Sequence, residues 1–116
     1  MGLNYFSASI VVGNTTTDTI ILGENNTPVG LTTQANITSG SLTFLVSKDN
    51  QTFLPLYDSD SNEISLTVTS ASRAYELLPL QTWAWRFMKI REGTSASSVA
   101  QASSNTLFTI VTRKIQ

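Results

Sequence analysis

Ser41-Leu42-Thr43-Phe44-Leu45-Val46-Ser47, then Lys48-Asp49-Asn50-Gln51, then Thr52-Phe53-Leu54-Pro55-Leu56-Tyr57: the reading of this stretch decides the fold class. Leu42, Phe44 and Val46 alternate with Thr43, Leu45 and Ser47, so one face is fully apolar and the other mixed. That is period-two patterning, the mark of a strand buried on one side. Four polar residues follow and the chain returns, which predicts a β-hairpin with Asp49-Asn50 tolerating left-handed backbone angles at its tip. Pro55 cannot donate a ladder hydrogen bond, so the returning run belongs on a sheet edge or at a bulge.

The same period runs outward in both directions. Asp58-Ser59-Asp60-Ser61-Asn62 reads as a turn, and Ile64, Leu66 and Val68 alternate with Ser65, Thr67 and Thr69. Ala74 to Leu78 predicts a short strand stopped by Pro79. Trp83 to Arg91 is the heaviest segment, with Trp83, Trp85 and Phe87 on one side and Ala84, Arg86, Met88 and Ile90 on the other. Its aromatic side is the expected core side. Glu92 to Ser104 is small and polar, a long loop, and Thr106 to Ile115 closes the chain with Phe108 and Ile110 on one face. Toward the N-terminus, Tyr5 to Val12 places Phe6, Ala8, Ile10 and Val12 together, Gly13-Asn14 turns, and Thr15 to Leu22 is a second β-branched run. Glu24 to Gly30, with Pro28 and Gly30, reads as a polar loop.

This amounts to about eight strands at intervals of about ten residues, the spacing of a sandwich or jelly roll rather than of alternating strands and helices. The expected fold is all-β, an antiparallel β-sandwich of jelly-roll type. Residues 1–35 are less aromatic and richer in Thr and Asn, and they read either as an N-terminal arm or edge hairpin attached to a sandwich domain over 36–116 or as edge strands of that same sandwich.

Composition narrows the chemistry. The chain has 116 residues, no histidine and no cysteine, and only 13% charged residues. Seven basic residues face eight acidic ones, so no basic surplus exists to displace counterions from a nucleic acid. No apolar run is long enough to cross a bilayer as a helix. Without histidine a hydroxyl nucleophile would need a lysine or carboxylate base, and Lys48, Lys89 and Lys114 sit in a turn, a strand and the tail with no Ser-x-x-Lys pattern. Asp58 and Asp60 share one solvated turn, where Asp is favoured for its local hydrogen bonds rather than as a catalytic pair. Asp58-x-Asp60-x-Asn62 opens like a calcium loop, but Glu63 and Thr69 stand where glycine and the bidentate glutamate belong. Zinc and redox metals lack their usual ligands. No catalytic residue, cofactor or metal is therefore expected. A nearly neutral chain whose solubility rests on hydroxyls and amides tends instead to associate.

The stretch from Ser41 to Asp58 resembles a recurrent block in small tailed-bacteriophage virion proteins: a strand reading T-F-x-V-S, a D-G or D-N turn, and a return F-x-P-L-Y-D. Trp85-Arg86-Phe87-Met88-Lys89-Ile90-Arg91-Glu92-Gly93-Thr94 matches a second block, and Gln101-Ala102 precedes a last strand ending in Thr112-Arg113. The resemblance covers residues 40–113. It implies an accessory virion protein, assembled in the bacterial cytoplasm, that decorates or cements the outside of the head. Its partners would be the major capsid protein and further copies of itself, as a dimer or trimer. Interface residues would come from the N-terminal region (Tyr5, Phe6, Ile10), the loop tips (Asp49, Asn50, Asp58, Asp60, Asn62) and the outward arginines Arg86 and Arg91. The same blocks are similar to discoidin-like galactose-binding sandwiches, which keeps surface glycans, with Trp83 and Trp85 as stacking platforms, as an alternative partner. A tail or neck location is a further alternative.

Overall fold

The computed structural model describes residues 3–24, 26–77, 85–102 and 104–114. Among these run nine strands and no helix: β1 (Leu3–Ile10), β2 (Ile20–Ile21), β3 (Asn26–Thr33), β4 (Ser41–Ser47), β5 (Leu54–Pro55), β6 (Ser65–Thr67), β7 (Arg73–Glu76), β8 (Phe87–Glu92) and β9 (Thr106–Lys114). One sheet has the order β1-β9-β3-β7, the other β2-β8-β4-β5, with β6 also on β4. Strand β8 occupies one edge of β4 along Leu42–Ser47, so β5 and β6 share the opposite edge as two pieces of one interrupted strand. All pairings are antiparallel. Counted this way, the chain is a jelly-roll sandwich. The connections after β1, β3, β6 and β8 cross between the sheets at one end. Those after β2 and β7 cross at the other, where the β4–β5 turn also lies.

The core lies where period two points. Ile10, Leu31, Phe108 and Ile110 from the first sheet meet Leu42, Phe44, Met88 and Ile90 from the second, all buried. Each such side chain contributes about 1.5–3 kcal/mol by leaving water. The hairpin forms as its sequence predicts: Leu45 pairs with Pro55 and Val46 with Leu54, and Pro55 lies on the edge strand. Asn50 takes a φ of 61° at the tip.

Four expectations are corrected. First, of the two readings of the N-terminal region the arm is excluded: residues 3–33 supply an edge strand to each sheet and, beyond either reading, an interior strand in β3 between β9 and β7. Second, part of the predicted polar loop is that interior strand. Its ladder shifts register between Pro28 and Gly30, and at this irregularity the missing proline donor is tolerated. Third, the run Thr15 to Leu22 keeps only Ile20–Ile21 in the ladder. Thr16 opposes Arg91 and Ile20 opposes Met88, so residues 17–19 face only Lys89 and Ile90, a bulge. The side chain of Thr17 replaces a ladder group there, accepting the Ile90 N–H at 3.1 Å and donating to the Asp18 carbonyl at 2.8 Å.

Fourth, on β8 the smaller side chains face inward: Met88 is 1% and Ile90 0% exposed. Phe87 is half-buried on the outer side, and Trp85, also half-buried, packs only against the margin of the core. Trp83, Ala84, Leu78, Pro79 and Ile115 lie outside the described residues. Val12, assigned to the core face of β1, is exposed in the turn beyond its end.

Candidate interaction surface

The two sheets have outer faces of opposite character. On the β2-β8-β4 sheet the central outward positions Thr43, Ser47 and Arg91 are buried, and only at the β2 edge is a large apolar side chain of this row, Ile21, 61% exposed. What covers them is a polar roof. The Arg91 guanidinium donates to Thr43 Oγ1 at 3.0 Å through Nε and pairs with Glu63 Oε2 at 2.6 Å. Thr43 Oγ1 in turn donates to the Gly93 carbonyl at 2.8 Å. The other Glu63 oxygen accepts the Ser95 backbone N–H at 3.0 Å and its hydroxyl at 3.1 Å, and Tyr57 Oη lies 3.0 Å from that hydroxyl. The strands β4 and β8, the Tyr57–Glu63 turn and the loop after Gly93 are thus tied together over the sheet. Nearer the hairpin, Lys89 Nζ stands 4.5 Å from the centre of the Phe53 ring, a cation–π contact.

The outer face of the β1-β9-β3-β7 sheet has no roof among the described residues. Its rows run Tyr5–Val111–Gly30–Glu76 and Ser7–Thr109–Thr32–Ala74, flanked by Leu3 beside Arg113 and Ser9 beside Leu107. None of these twelve residues is buried; Thr27, which continues the Leu3–Arg113 row onto β3 before its register shift, is 4% exposed. Tyr5 is 67%, Leu3 47% and Leu107 43% exposed, and the centre of the face is hydroxyl, methyl and glycine. Charge is confined to Arg113 and Glu76, in neighbouring rows toward one end of the face. A flat, weakly charged face carrying an exposed tyrosine and leucines has the composition of a protein-docking surface.

The expected interface residues do not converge. Tyr5 is on the bare face, and Phe6, one residue on, is half-buried against the core. Ile10 is completely buried and cannot be a surface contact. Arg91 is 9% exposed and fully engaged by the roof, so it too is removed from the interface. Arg86 is exposed and ion-paired to Glu24 beside β2. Asp49 and Asn50 form the hairpin tip, where Asp49 organises the turn. Its carboxylate accepts the backbone N–H groups of Gln51 and Thr52, at 2.9 and 3.1 Å, and the Ser47 hydroxyl at 2.9 Å. Those bonds, the Gln51 one first, hold its carboxyl below the usual carboxylate range. Asp58 likewise caps its own turn, accepting from Asp60 and Asn62 N–H at 2.8 and 3.0 Å.

Two features were missed in the sequence. One is a polar plug under the crossing loops, built by Glu92 and Gln101, which are 0% and 1% exposed. Glu92 Oε1 accepts the N–H groups of Thr38 and Ser39, both at 2.8 Å. Gln101 Nε2 donates to the carbonyls of Asn36 and Ser104 at 2.7 and 2.8 Å, and its oxygen accepts the Thr38 hydroxyl at 3.0 Å. The other is an apolar cleft of about 370 Å³ between the sheets on the β5–β6–β7 side, with Phe44, Leu56 and Met88 inside and Asp58 and Glu76 among its lining. Leu77, the last described residue before 78–84, also lines it.

No protein-family model matches the chain, and no curated protein matches it either.

Proposed function

We propose that the protein is a non-enzymatic structural component of a bacteriophage virion that decorates and cements the outside of the head shell. It docks on the major capsid protein through the outer face of the β1-β9-β3-β7 sheet. The observation that carries this reading is the contrast between a roofed and a bare outer face, with Tyr5, Leu3 and Leu107 exposed on the bare one. The blocks at 41–58 and 85–94, which resemble small tailed-phage virion proteins, supply the context. The jelly roll is a fold used for capsid and lectin domains alike, so it agrees with this role without selecting it. Cementing works by mass action: a protein that binds only the intact shell stabilises it in proportion to its occupancy.

The test is made on particles. Virions stripped of the protein are expected to rupture at lower temperature or milder osmotic shock, and added wild-type protein to restore them. Protein carrying Tyr5→Ser and Leu107→Ser is expected to fold but not rebind. Shells equally robust with and without the protein would overturn the cementing role.

A further inference from the structure

We infer that the free edge of β1 pairs with the β1 edge of a second copy, antiparallel about a two-fold axis at Phe6, joining two four-stranded sheets into one continuous sheet.

An edge strand presents unpaired N–H and C=O groups, and proteins that stay apart guard such edges with charge, proline, a bulge or brevity. Three of the four edges here are guarded. Strand β2 has two residues and runs into the Thr17 bulge, and β7 carries Arg73 and Glu76. The β5–β6 edge is interrupted and contains Pro55. Strand β1 has none of these devices. It is eight residues long, Leu-Asn-Tyr-Phe-Ser-Ala-Ser-Ile, without charge or proline, and in unbroken register with β9 from Leu3 to Ile10. Among the described residues it pairs with β9 alone. Phe6 shows the opening: it is only half-buried, whereas Ile110, its ladder partner, is completely buried.

The order of side chains selects a second copy as the occupant. The outward row of β1 reads Leu3, Tyr5, Ser7, Ser9, two large residues followed by two small ones. Antiparallel pairing of identical strands about Phe6 sets Leu3 opposite Ser9 and Tyr5 opposite Ser7, large against small, twice over by symmetry. On the inward row Asn4 meets Ala8, and the two Phe6 rings meet on the axis, each covering the other's exposed side. With no charge on β1, no like-charge repulsion opposes the pairing. The two bare faces then lie side by side, doubling the docking surface. The pairing concerns the free protein and does not depend on which shell it decorates.

The experiment uses the full chain in solution, its mass followed by sedimentation equilibrium over a range of concentrations. Wild type is expected to give the mass of two copies at the upper end. Ser7→Lys, an exposed position at the middle of the edge, is expected to give the mass of one copy, with the melting temperature of wild type at dilutions where wild type is also a single copy, whereas Leu107→Lys, on the face beyond the edge, keeps two. Because the sequence has no cysteine, register is read by mixing copies carrying Tyr5→Cys with copies carrying Ser7→Cys. Under oxidation the mixed disulfide is expected to form several-fold more than either like pair. A single-copy mass for wild type at every concentration would overturn the proposal. So would a two-copy mass that survives Ser7→Lys, and one lost only in Leu107→Lys.

Discussion

The outer faces of the two sheets are built from the same alphabet and end in opposite states. Thr43 on β4 and Thr109 on β9 both point away from the core from the middle of a central strand. Thr43 is 0% exposed, held between the Arg91 guanidinium and the Gly93 carbonyl, while Thr109 stays partly open to solvent. What separates them is one ion pair and one loop. Arg91 and Glu63 bring opposite charges under the Ser95 segment, and the long β8–β9 connection is pulled over the sheet. The bare face has no arginine at its centre, and among the described residues no loop is drawn over it. A roofed face is committed to stability, and the open one is the face proposed above for docking.

That contrast can be broken from the roofed side with the largest effects. Glu63→Ala leaves the nearly buried Arg91 without its counter-charge and removes the acceptor for Ser95. We expect a loss of about 3 kcal/mol in urea unfolding, with the Ser95 amide losing its hydrogen-exchange protection. Gly93→Ala follows. Its φ of 86° is one that L side chains rarely adopt, and a Cβ there would collide with Ser97 O and stand 2.9 Å from Val99 N. About 2 kcal/mol is expected from the strain, visible as a lower thermal midpoint.

The bare side is expected to respond in function and not in stability. Tyr5→Ser with Leu107→Ser should change unfolding free energy by no more than about 0.5 kcal/mol while abolishing rebinding to stripped shells. Asp49→Ala sharpens the comparison at its smallest scale. The Asp49 carboxyl is held low in the fold, so its contribution is complete above the usual carboxylate range and lost as pH falls through the lowered value. Wild type should therefore lose order at the hairpin tip only in acid below the usual carboxylate range, seen in the Gln51 and Thr52 amide shifts, and the variant should show no such step.

Much of this architecture was legible in the sequence, for a physical reason. Where one strand face meets the core, alternation records it directly, so the hairpin, its Asn50 tip, the edge position of Pro55 and the Phe108–Ile110 face could all be read. The central strand β3 was hidden because Pro28 and Gly30 signal a break, and only a register shift against β9 reconciles them with a ladder. On β8 the aromatic weight misled: size does not decide which side is inward when Met88 and Ile90 fit the core and Phe87 finds room outside. The candidate interaction surface was legible only at Tyr5. Whether a Thr or Ser row is bare or covered depends on loops far away in sequence, and so does the burial of Glu92 and Gln101, whose partners lie between Asn36 and Ser104.

The place of β9 has a consequence for the order of assembly. It lies between β1 and β3, so two strands from the first third of the chain await one from the end, with Leu3 finally opposite Arg113. The hairpin and its neighbours β6 and β8 join through shorter separations and have less loop entropy to overcome. On the ribosome the second sheet can therefore begin to form while β1 still lacks its mate, and the first sheet is sealed only when β9 has been made.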